Sequence, residues 1–345
     1  MSWQLPAGSP YALEAKELSV VLDGRKVLDI ASLQVYPNEV LMVIGPNGSG
    51  KTTLLLCLAL LIKPATATIS YRGIPILNSS HTLQTRRRLA VVFQESLLLN
   101  SSVWDNVTLG LRLRGVKGGE TRVRAQEWLE RFGIAPLAKR HAKTLSSGEA
   151  KRVSLARAFV LQPEVLFLDE PFDALDSPTR QALLEDFEGV LRETRVTTVM
   201  VTHDRNEALI LADRIAVLMN GRIRELGTPQ EVFGSPVDED VASFVEAGNI
   251  LRGVVGEQSQ GLISVNVDGQ HFEAVSNLPV GTKVTAYVPY EDVTLAVVAA
   301  ETAQTSARNQ LRGRIVKVFP LGSQLKVSLD CGFMLASVIT KRSWE

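Results

Sequence analysis

A glycine-rich segment near the start of the chain has the residue types needed to hold a phosphate group. It matches the pattern G-x-x-x-x-G-K-[ST] and follows an apolar run, EVLMVIG, that is typical of a strand. Its glycines let backbone N–H groups close around phosphate oxygens, Lys51 brings positive charge to the β and γ phosphates, and the Thr52 hydroxyl can reach Mg²⁺. The predicted nucleotide-binding residues here are Gly45, Pro46, Asn47, Gly48, Ser49, Gly50, Lys51, Thr52 and Thr53.

Two adjacent carboxylates, Asp169 and Glu170, end the apolar segment VLFLDE. Open α/β sheets bind ligands at the carboxyl ends of their strands, where both side chains are expected. Asp169 can hold the Mg²⁺ shell, and Glu170 can polarise a water molecule in line with the γ-phosphate. An isolated string of this kind is more often explained by capping or solvation, but the phosphate loop beside it favours nucleotide chemistry.

Gln94 and His203 each end a short apolar segment, LAVVFQ and TTVMVTH. Strands commonly end in polar residues, so either side chain alone can be a simple terminator. Here the neighbouring strands end at Gly45 and Asp169. We therefore expect Gln94 and His203 to converge on the same nucleotide.

A second candidate anion site lies at residues 145–149, LSSGE, just before a helical pattern. Ser146 or Ser147 can cap that helix, and the free N–H groups of a helix N-terminus attract anions. The chain thus has two phosphate-binding segments, and the second needs an explanation.

Short apolar strands alternate with helical patterns over most of the chain, which predicts a largely parallel sheet covered on both faces. A segment starting at Thr52 and ending at Ile62 reads as a buried helix, and residues 102–143 read as a helical insertion. From Gly110 to Lys143 this insertion carries nine Lys or Arg and three Glu. The charge imbalance fits either a solvated helical face or a face toward an anionic membrane or membrane partner.

Beyond Phe244 the pattern changes to short alternating strands with an internal repeat. NILRGVV at Asn249–Val255 recurs as NQLRGRIV at Asn309–Val316, and the second copy is shorter than the first. We predict a first domain at residues 1–245 and a duplicated second domain at 246–345, with its second copy incomplete.

Bulk properties exclude several classes of protein. The chain has 345 residues, of which 45% are hydrophobic and 21% charged, and its 37 basic residues balance 37 acidic ones. This balance does not indicate a nucleic-acid partner. The longest apolar run, Leu54–Ile62, is far shorter than a membrane-spanning helix, and no secretion signal is visible. Cys57 and Cys331 have no metal-ligand spacing, so both are expected in the core.

Over about residues 14–245 the chain resembles the ATP-binding subunits of ABC transporters of the bacterial importer type. The motifs that carry the resemblance follow the family's order. Beside the phosphate loop they are a Q-loop at Gln94, a V-x-x-N segment at Val103–Asn106, a signature at Leu145–Glu149, the carboxylates Asp169 and Glu170, a D-loop at Ala174–Asp176 and a switch histidine, His203.

The resemblance implies an α/β fold: a P-loop ABC nucleotide-binding domain with a mixed, largely parallel sheet and a helical subdomain at about residues 95–150. It implies ATP hydrolysis with Mg²⁺. The implied catalytic residues are Glu170, His203, Gln94 and Lys51, and the implied Mg²⁺ ligands are Thr52, Gln94 and Asp169. In this family the signature binds the γ-phosphate of ATP held by the other subunit, which explains the two phosphate-binding segments.

The resemblance therefore implies a head-to-tail homodimer with two composite sites. The in-trans signature residues would be Ser146, Ser147, Gly148 and Glu149. It further implies integral-membrane permease subunits and an extracytoplasmic solute-binding protein as partners, and a peripheral location on the cytoplasmic face of the cell membrane.

Three residues depart from the family's pattern. Ser147 stands where a second glycine is usual, and Glu149 replaces a glutamine, which adds negative charge near phosphate. Leu22 falls where an aromatic residue commonly stacks on adenine, and it offers apolar contact without a π-face. We expect weaker binding of the partner's ATP and less secure adenine recognition.

The tail resembles the small all-β accessory domain of the oligonucleotide/oligosaccharide-binding barrel type that follows many importer ATPases. Its N-x-L-R-G repeat and the segment Val288–Val293, VPYEDV, look most like those of molybdate and tungstate importers, and sugar, polyamine, iron and sulfate systems have related tails. Because the second copy is short, we expect this chain alone to bind oxyanion weakly or not at all.

Two rival functions fit the sequence less well. DNA-repair ABC ATPases insert long coiled coils between the phosphate loop and the signature, and translation-type relatives carry two cassettes per chain; neither feature is present. A nucleotide-gated regulator without hydrolysis is expected to lack Glu170 or His203.

Overall fold

The structure is a computed structural model that describes residues 10–77, 82–245, 248–296 and 307–344. The chain divides into two compact units, residues 1–229 and 230–345. The sequence analysis places the domain junction at 245/246. The structure places residues 230–245 in the second unit. Residue 246 itself lies outside the described ranges.

The first unit contains ten strands and seven of the helices that the structure describes. The strands are β1 (Leu13–Leu22), β2 (Arg25–Val35), β3 (Val40–Ile44), β4 (Thr66–Tyr71), β5 (Ile74–Pro75), β6 (Leu89–Val92), β7 (Val165–Asp169), β8 (Thr197–Val201), β9 (Arg214–Met219) and β10 (Arg222–Gly227). The helices are α1 (Lys51–Leu58), α2 (Thr82–Arg86), α3 (Val103–Leu113), α4 (Gly118–Arg131), α5 (Ser147–Phe159), α6 (Ser177–Thr194) and α7 (Arg205–Leu211).

A six-stranded sheet in the order β10-β9-β3-β8-β7-β6 forms the centre of this unit. All pairs are parallel except β9 with β10. The side chains of β3, β7 and β8 are buried throughout, as expected for parallel strands covered on both faces. A second, antiparallel sheet in the order β2-β1-β4-β5 packs with α1 around a shared apolar core. The predicted α/β fold class is confirmed.

The helix after the phosphate loop is shorter than the sequence suggested. It ends at Leu58 instead of Ile62, because Leu60 adopts a left-handed backbone with φ 61° and Pro64 follows. The predicted helical insertion is present as α3 and α4. Both cysteines are buried and free, as expected.

The second unit is built mainly of antiparallel strands. They are β11 (Gly248–Ser259), β12 (Leu262–Val267), β13 (Gln270–Val275), β14 (Lys283–Pro289), β15 (Arg314–Leu321), β16 (Gln324–Asp330) and β17 (Met334–Thr340). Its short helices are α8 (Pro229–Gly234), α9 (Glu239–Phe244) and α10 (Lys341–Trp344). The first copy of the repeat supplies the sheet β13-β12-β11-β14, and the second supplies β15-β16-β17.

The repeated N-x-L-R-G motif holds the two copies together. Oδ1 of Asn249 accepts from the backbone N–H of Ala336 at 2.6 Å, and its Nδ2 donates to the Ala336 carbonyl at 2.8 Å. Asn309 makes the reciprocal pair of bonds with the backbone of Glu273, at 2.8 and 2.9 Å. Each asparagine thus clasps the third strand of the other copy.

The other motif residues also have packing roles. Leu251 and Leu311 contact one apolar core that both copies share. A Cβ on Gly253 would lie 2.5 Å from the Asn266 carbonyl oxygen, and one on Gly313 would lie 2.4 Å from Sγ of Cys331. The repeat is therefore explained by the architecture of the tail, whatever solute the protein serves.

Candidate functional site

The phosphate loop leaves the carboxyl end of β3 and leads directly into α1. A Cβ at Gly45 would lie 2.0 Å from the carbonyl oxygen of Leu218, so only glycine fits there. Gly48 and Gly50 have φ of 77° and 102°, values that L side chains rarely adopt. The glycines of the motif are thus required by the backbone path as well as by phosphate approach.

Lys51 lies inside the loop and is almost fully buried. Its Nζ donates to the carbonyl oxygens of Gly45 and Pro46 at 2.9 and 3.1 Å. Burial lowers the pKa of Lys51, and the nearby Glu170 and Asp169 carboxylates oppose that shift. Ser49 is also buried, and its Oγ has no hydrogen-bond partner among the described residues. An unpaired buried hydroxyl in a phosphate loop fits a ligand that supplies oxygen atoms.

Asp169, the last residue of β7, is buried and accepts a hydrogen bond from Oγ1 of Thr52 at 3.1 Å. Burial raises the pKa of Asp169, and the bond from Thr52 opposes that shift. A carboxylate and a hydroxyl in contact are hard oxygen donors of the kind that Mg²⁺ prefers. These two residues fit a magnesium site.

Glu170 follows β7 with a left-handed backbone, φ 42°, and its Oε2 lies 3.1 Å from Nδ1 of His203. Strands β7 and β8 are parallel neighbours, so the residues that follow them meet at the same edge of the sheet. A basic nitrogen beside a carboxylate can orient and polarise a water molecule.

A cleft of about 580 Å³ brings residues of the phosphate loop together with Gln94, Glu170 and His203. It is lined by Val27, Asn47, Gly48, Gly50, Lys51, Thr52, Thr53, Gln94, Glu170, Asp173 and His203. Leu22 does not line this cleft; it lies at the end of β1 and is 43% exposed.

Sequence reasoning missed Asp173. One ligand atom each from Glu170, Asp173 and His203 lies within 4.8 Å of the others, and Nε2 of Gln94 donates to Oδ2 of Asp173 at 2.8 Å. That bond is the main cause of a lowered pKa at Asp173. Its position just before the D-loop was the available signal, but many aspartates lie in turns for local reasons.

The signature segment forms the start of α5. Oγ of Ser146 accepts from the backbone N–H of Glu149 at 3.3 Å, and Oε2 of Glu149 accepts from the Ser146 N–H at 2.7 Å, which completes a capping box. Glu149 also pairs with Arg140 at 3.1 Å. The hydrogen bond from Ser146 is the main cause of the lowered pKa of Glu149. The negative charge that Glu149 adds to the signature is thus paired with the positive charge of Arg140.

Gly148 is buried, and a Cβ there would lie 2.7 Å from Cγ2 of Thr179 in α6. Ser147, the first residue of α5, adds its side chain at the helix N-terminus. None of the residues that line the cleft comes from the signature.

Comparison with known proteins agrees with this geometry. The sequence profile described as "ABC transporter" matches residues 28–173. The molybdate/tungstate import ATP-binding protein WtpC of Pyrococcus abyssi is 35% identical over 92% of this chain and 89% of its own length. The chain belongs to the ABC transporter family.

Other members of the ABC transporter family are similar as well. The spermidine/putrescine import ATP-binding protein PotA of Marinobacter nauticus is 38% identical over 74% of this chain and 68% of its own length. The sulfate/thiosulfate import ATP-binding protein CysA 2 of Chromobacterium violaceum is 38% identical over 81% of this chain and 74% of its own length.

Solved structures of ABC proteins are similar to this chain in fold. CbiO1 of Clostridium perfringens, part of the ABC transporter complex cbiONQ, has a TM-score of 0.61 and 30% identity, and covers 68% of this chain and 96% of its own. A dimeric ATP-binding cassette in a post-hydrolysis state with ADP and Pi has a TM-score of 0.57 and 28% identity, with coverages of 63% and 98%. The chain is an ABC subunit that binds and hydrolyses ATP. No helix in its described residues is long and apolar enough to span a membrane.

Proposed function

We propose that this chain is the motor subunit of an importer for a tetrahedral oxyanion, molybdate or tungstate. It acts as a homodimer, bound peripherally to integral-membrane permease subunits on the cytoplasmic face of the cell membrane. An extracytoplasmic solute-binding protein selects the solute. The similarity to WtpC carries this proposal, because its 35% identity extends over 92% of the chain and so includes the tail, whereas a polyamine-import relative of the same coverage is 32% identical.

ATP occupies the cleft with its phosphates in the loop between β3 and α1. Backbone N–H groups of the loop and the Oγ of Ser49 bind phosphate oxygens, and Lys51 exchanges its two carbonyl partners for the β and γ phosphates. Thr52 and Asp169, which are in hydrogen-bond contact, together with Gln94 would hold Mg²⁺, and the bound ion would neutralise charge on those phosphates.

Glu170 orients and polarises the water that attacks the γ-phosphate, and His203, which follows β8, contacts that carboxylate. Both residues lie at the carboxyl edge of the sheet, beside the loop that holds the phosphates. This placement supports general-base catalysis by Glu170.

The signature acts on the ATP of the other subunit. Ser146 and the first N–H groups of α5 lie outside the cleft of their own chain, and a helix N-terminus attracts the γ-phosphate. The in-trans residues are Ser146, Ser147, Gly148 and Glu149. The pair of Arg140 with Glu149 limits the repulsion between that carboxylate and phosphate.

The identity of the solute is tested with the chain and its permease reconstituted in proteoliposomes. ATP hydrolysis is measured with solute-binding protein loaded with molybdate, tungstate, sulfate, spermidine or maltose, and the Glu170→Gln chain serves as the background. We expect stimulation with molybdate or tungstate only. Stimulation by sulfate, polyamine or sugar, without a response to molybdate or tungstate, would overturn the proposed solute. Isothermal titration of the binding protein with the same solutes gives an independent answer.

A further inference from the structure

Helix α5 forms hydrogen bonds with residues 94–97, the segment that begins with Gln94. Lys151, Ser154 and Arg157 recur every three residues along α5, and each hydrogen-bonds to a backbone carbonyl of this segment. Nζ of Lys151 donates to the carbonyl of Gln94. Oγ of Ser154 donates to the carbonyl of Ser96 at 3.4 Å, and Arg157 donates to the carbonyls of Ser96 and Leu97, both at 2.9 Å.

Lys151 is a cation with little access to water, since only 5% of its surface is exposed. A buried ammonium is costly unless opposite charges lie near it. The carboxylates of Asp173, Asp169 and Glu170 supply that charge, in this order of influence. Lys151 thus contacts Gln94 directly and stabilises the acidic residues of the cleft.

Asp173 holds the other end of Gln94. An ionised carboxylate can only accept hydrogen bonds, so the amide group of Gln94 must turn Nε2 toward Asp173. Its Oε1 is then the atom left to bind a cation or to accept a hydrogen bond from water. The amide is oriented by its partner in the way that outer residues orient metal ligands.

We propose that Lys151 and Asp173 are positioning residues for Gln94, the first through its backbone carbonyl and the second through its side-chain amide. Lys151 lies on the same helix as the Ser146 cap, less than two turns away, so this contact also ties the signature segment to Gln94. Within one chain, the segment that serves the partner's ATP is thereby joined to a residue that serves the chain's own ATP. The inference rests on the proposed roles of Gln94 and of the signature.

The test measures kcat and KM for ATP in the full-length native chain and in five single variants, one of which is Lys151→Arg. Asp173→Asn keeps the shape but lets either end of the Gln94 amide face it, and Lys151→Met removes the donor while keeping most of the length of the side chain. Gln94→Ala gives the reference effect. Asp186→Asn is the matched control, because it removes a 2.7 Å pair with Arg152 on the same helix that does not involve Gln94.

We expect Asp173→Asn and Lys151→Met each to lower kcat by roughly 10-fold or more, with KM changed far less. Lys151→Arg should restore part of the loss, and Asp186→Asn should leave kcat unchanged. In a Gln94→Ala background, neither Asp173→Asn nor Lys151→Met should lower kcat further, because residues acting through one partner are not additive.

Three outcomes would overturn the inference, and they are distinguishable. Full activity of Gln94→Ala would remove the proposed role of Gln94 as well. A normal kcat in both Asp173→Asn and Lys151→Met, with an effect of Gln94→Ala, would refute positioning alone. A further loss in the Gln94→Ala background would show that the two residues act on the cleft directly. Melting temperatures identify any variant whose loss of activity follows from unfolding. If Asp173→Asn is such a variant, Asp173→Ser replaces it.

Discussion

Nδ1 of His203 lies 3.1 Å from Oε2 of Glu170, although 33 positions separate the two residues in the chain. The contact exists because β7 and β8 are adjacent parallel strands that end at the same edge of the sheet. It places a carboxylate and an imidazole beside the phosphate loop, at the position of the proposed attack on ATP.

Replacing Glu170 by Gln should nearly abolish ATP hydrolysis while ATP binding persists. The amide keeps the shape of the side chain but cannot take a proton from water. The variant should form a stable dimer when ATP is added, which size-exclusion chromatography can detect. Hydrolysis at a rate near that of the native chain would contradict the assigned role.

Ser146→Arg should stop hydrolysis without weakening ATP binding to the monomer, because in the proposed composite site Ser146 contacts the phosphate of ATP on the other chain. Mixing this variant with Lys51→Ala should restore one working site per heterodimer. Differently tagged chains allow the heterodimers to be isolated before the assay. If isolated heterodimers remain inactive, the composite site is wrong.

Leu22→Tyr should improve ATP affinity if adenine lies over the end of β1. An aromatic platform adds about 1 kcal/mol, or roughly 5-fold in affinity. Equilibrium binding of ATP and GTP to both chains measures this and shows whether adenine is preferred. An unchanged affinity would place adenine elsewhere, for example beside Val27, which lines the cleft.

The two asparagines of the repeat should protect different strands from hydrogen exchange. Asn249→Ala removes the acceptor for the Ala336 N–H, and Asn309→Ala removes the acceptor for the Glu273 N–H. Exchange should accelerate at β17 in the first variant and at β13 in the second. Asn249 is buried, so its loss should cost about 1–3 kcal/mol of stability, and the exposed Asn309 should cost less. If both variants accelerated exchange equally in both strands, the contacts of Asn249 with β17 and of Asn309 with β13 would not be independent.

The titration of Glu207 should lower the free energy of unfolding as pH rises. Glu207 is 3% exposed and accepts from Oγ1 of Thr202 at 2.6 Å, and burial raises its pKa from 4.5 to about 7, with a smaller contribution from the neighbouring Asp204. The Thr202 bond, Arg180 and His203 oppose this shift. Between pH 4.5 and 7 the folded chain keeps a proton that the unfolded chain has lost.

The contribution of Glu207 is therefore present below pH 4.5 and is lost by about pH 7, by roughly 3 kcal/mol in all. Glu207→Gln removes the titration. The free energy of unfolding of the native chain and this variant, compared from pH 4.5 to 8, should differ in slope across that window. Parallel curves would show that Glu207 titrates alike in both states.

Local sequence determined the parts of this protein that depend on residues close together in the chain. The phosphate loop, the buried strands and the two carboxylates at the end of β7 could be predicted, because a glycine loop between strand and helix and an unbroken apolar run each constrain their own backbone. The predicted parallel strands then made the convergence of Gln94 and His203 predictable, since the carboxyl ends of such strands share an edge.

The tertiary structure decided the contacts between distant segments. Neither Lys151 nor Asp173 shows in the sequence that it holds Gln94, because that depends on how α5 packs against the segment after β6. The N-x-L-R-G repeat suggested a solute, whereas the fold shows Asn249 and Asn309 clasping the opposite copies. Side-chain hydrogen bonds across such distances follow from burial and packing geometry, which no short stretch of sequence contains.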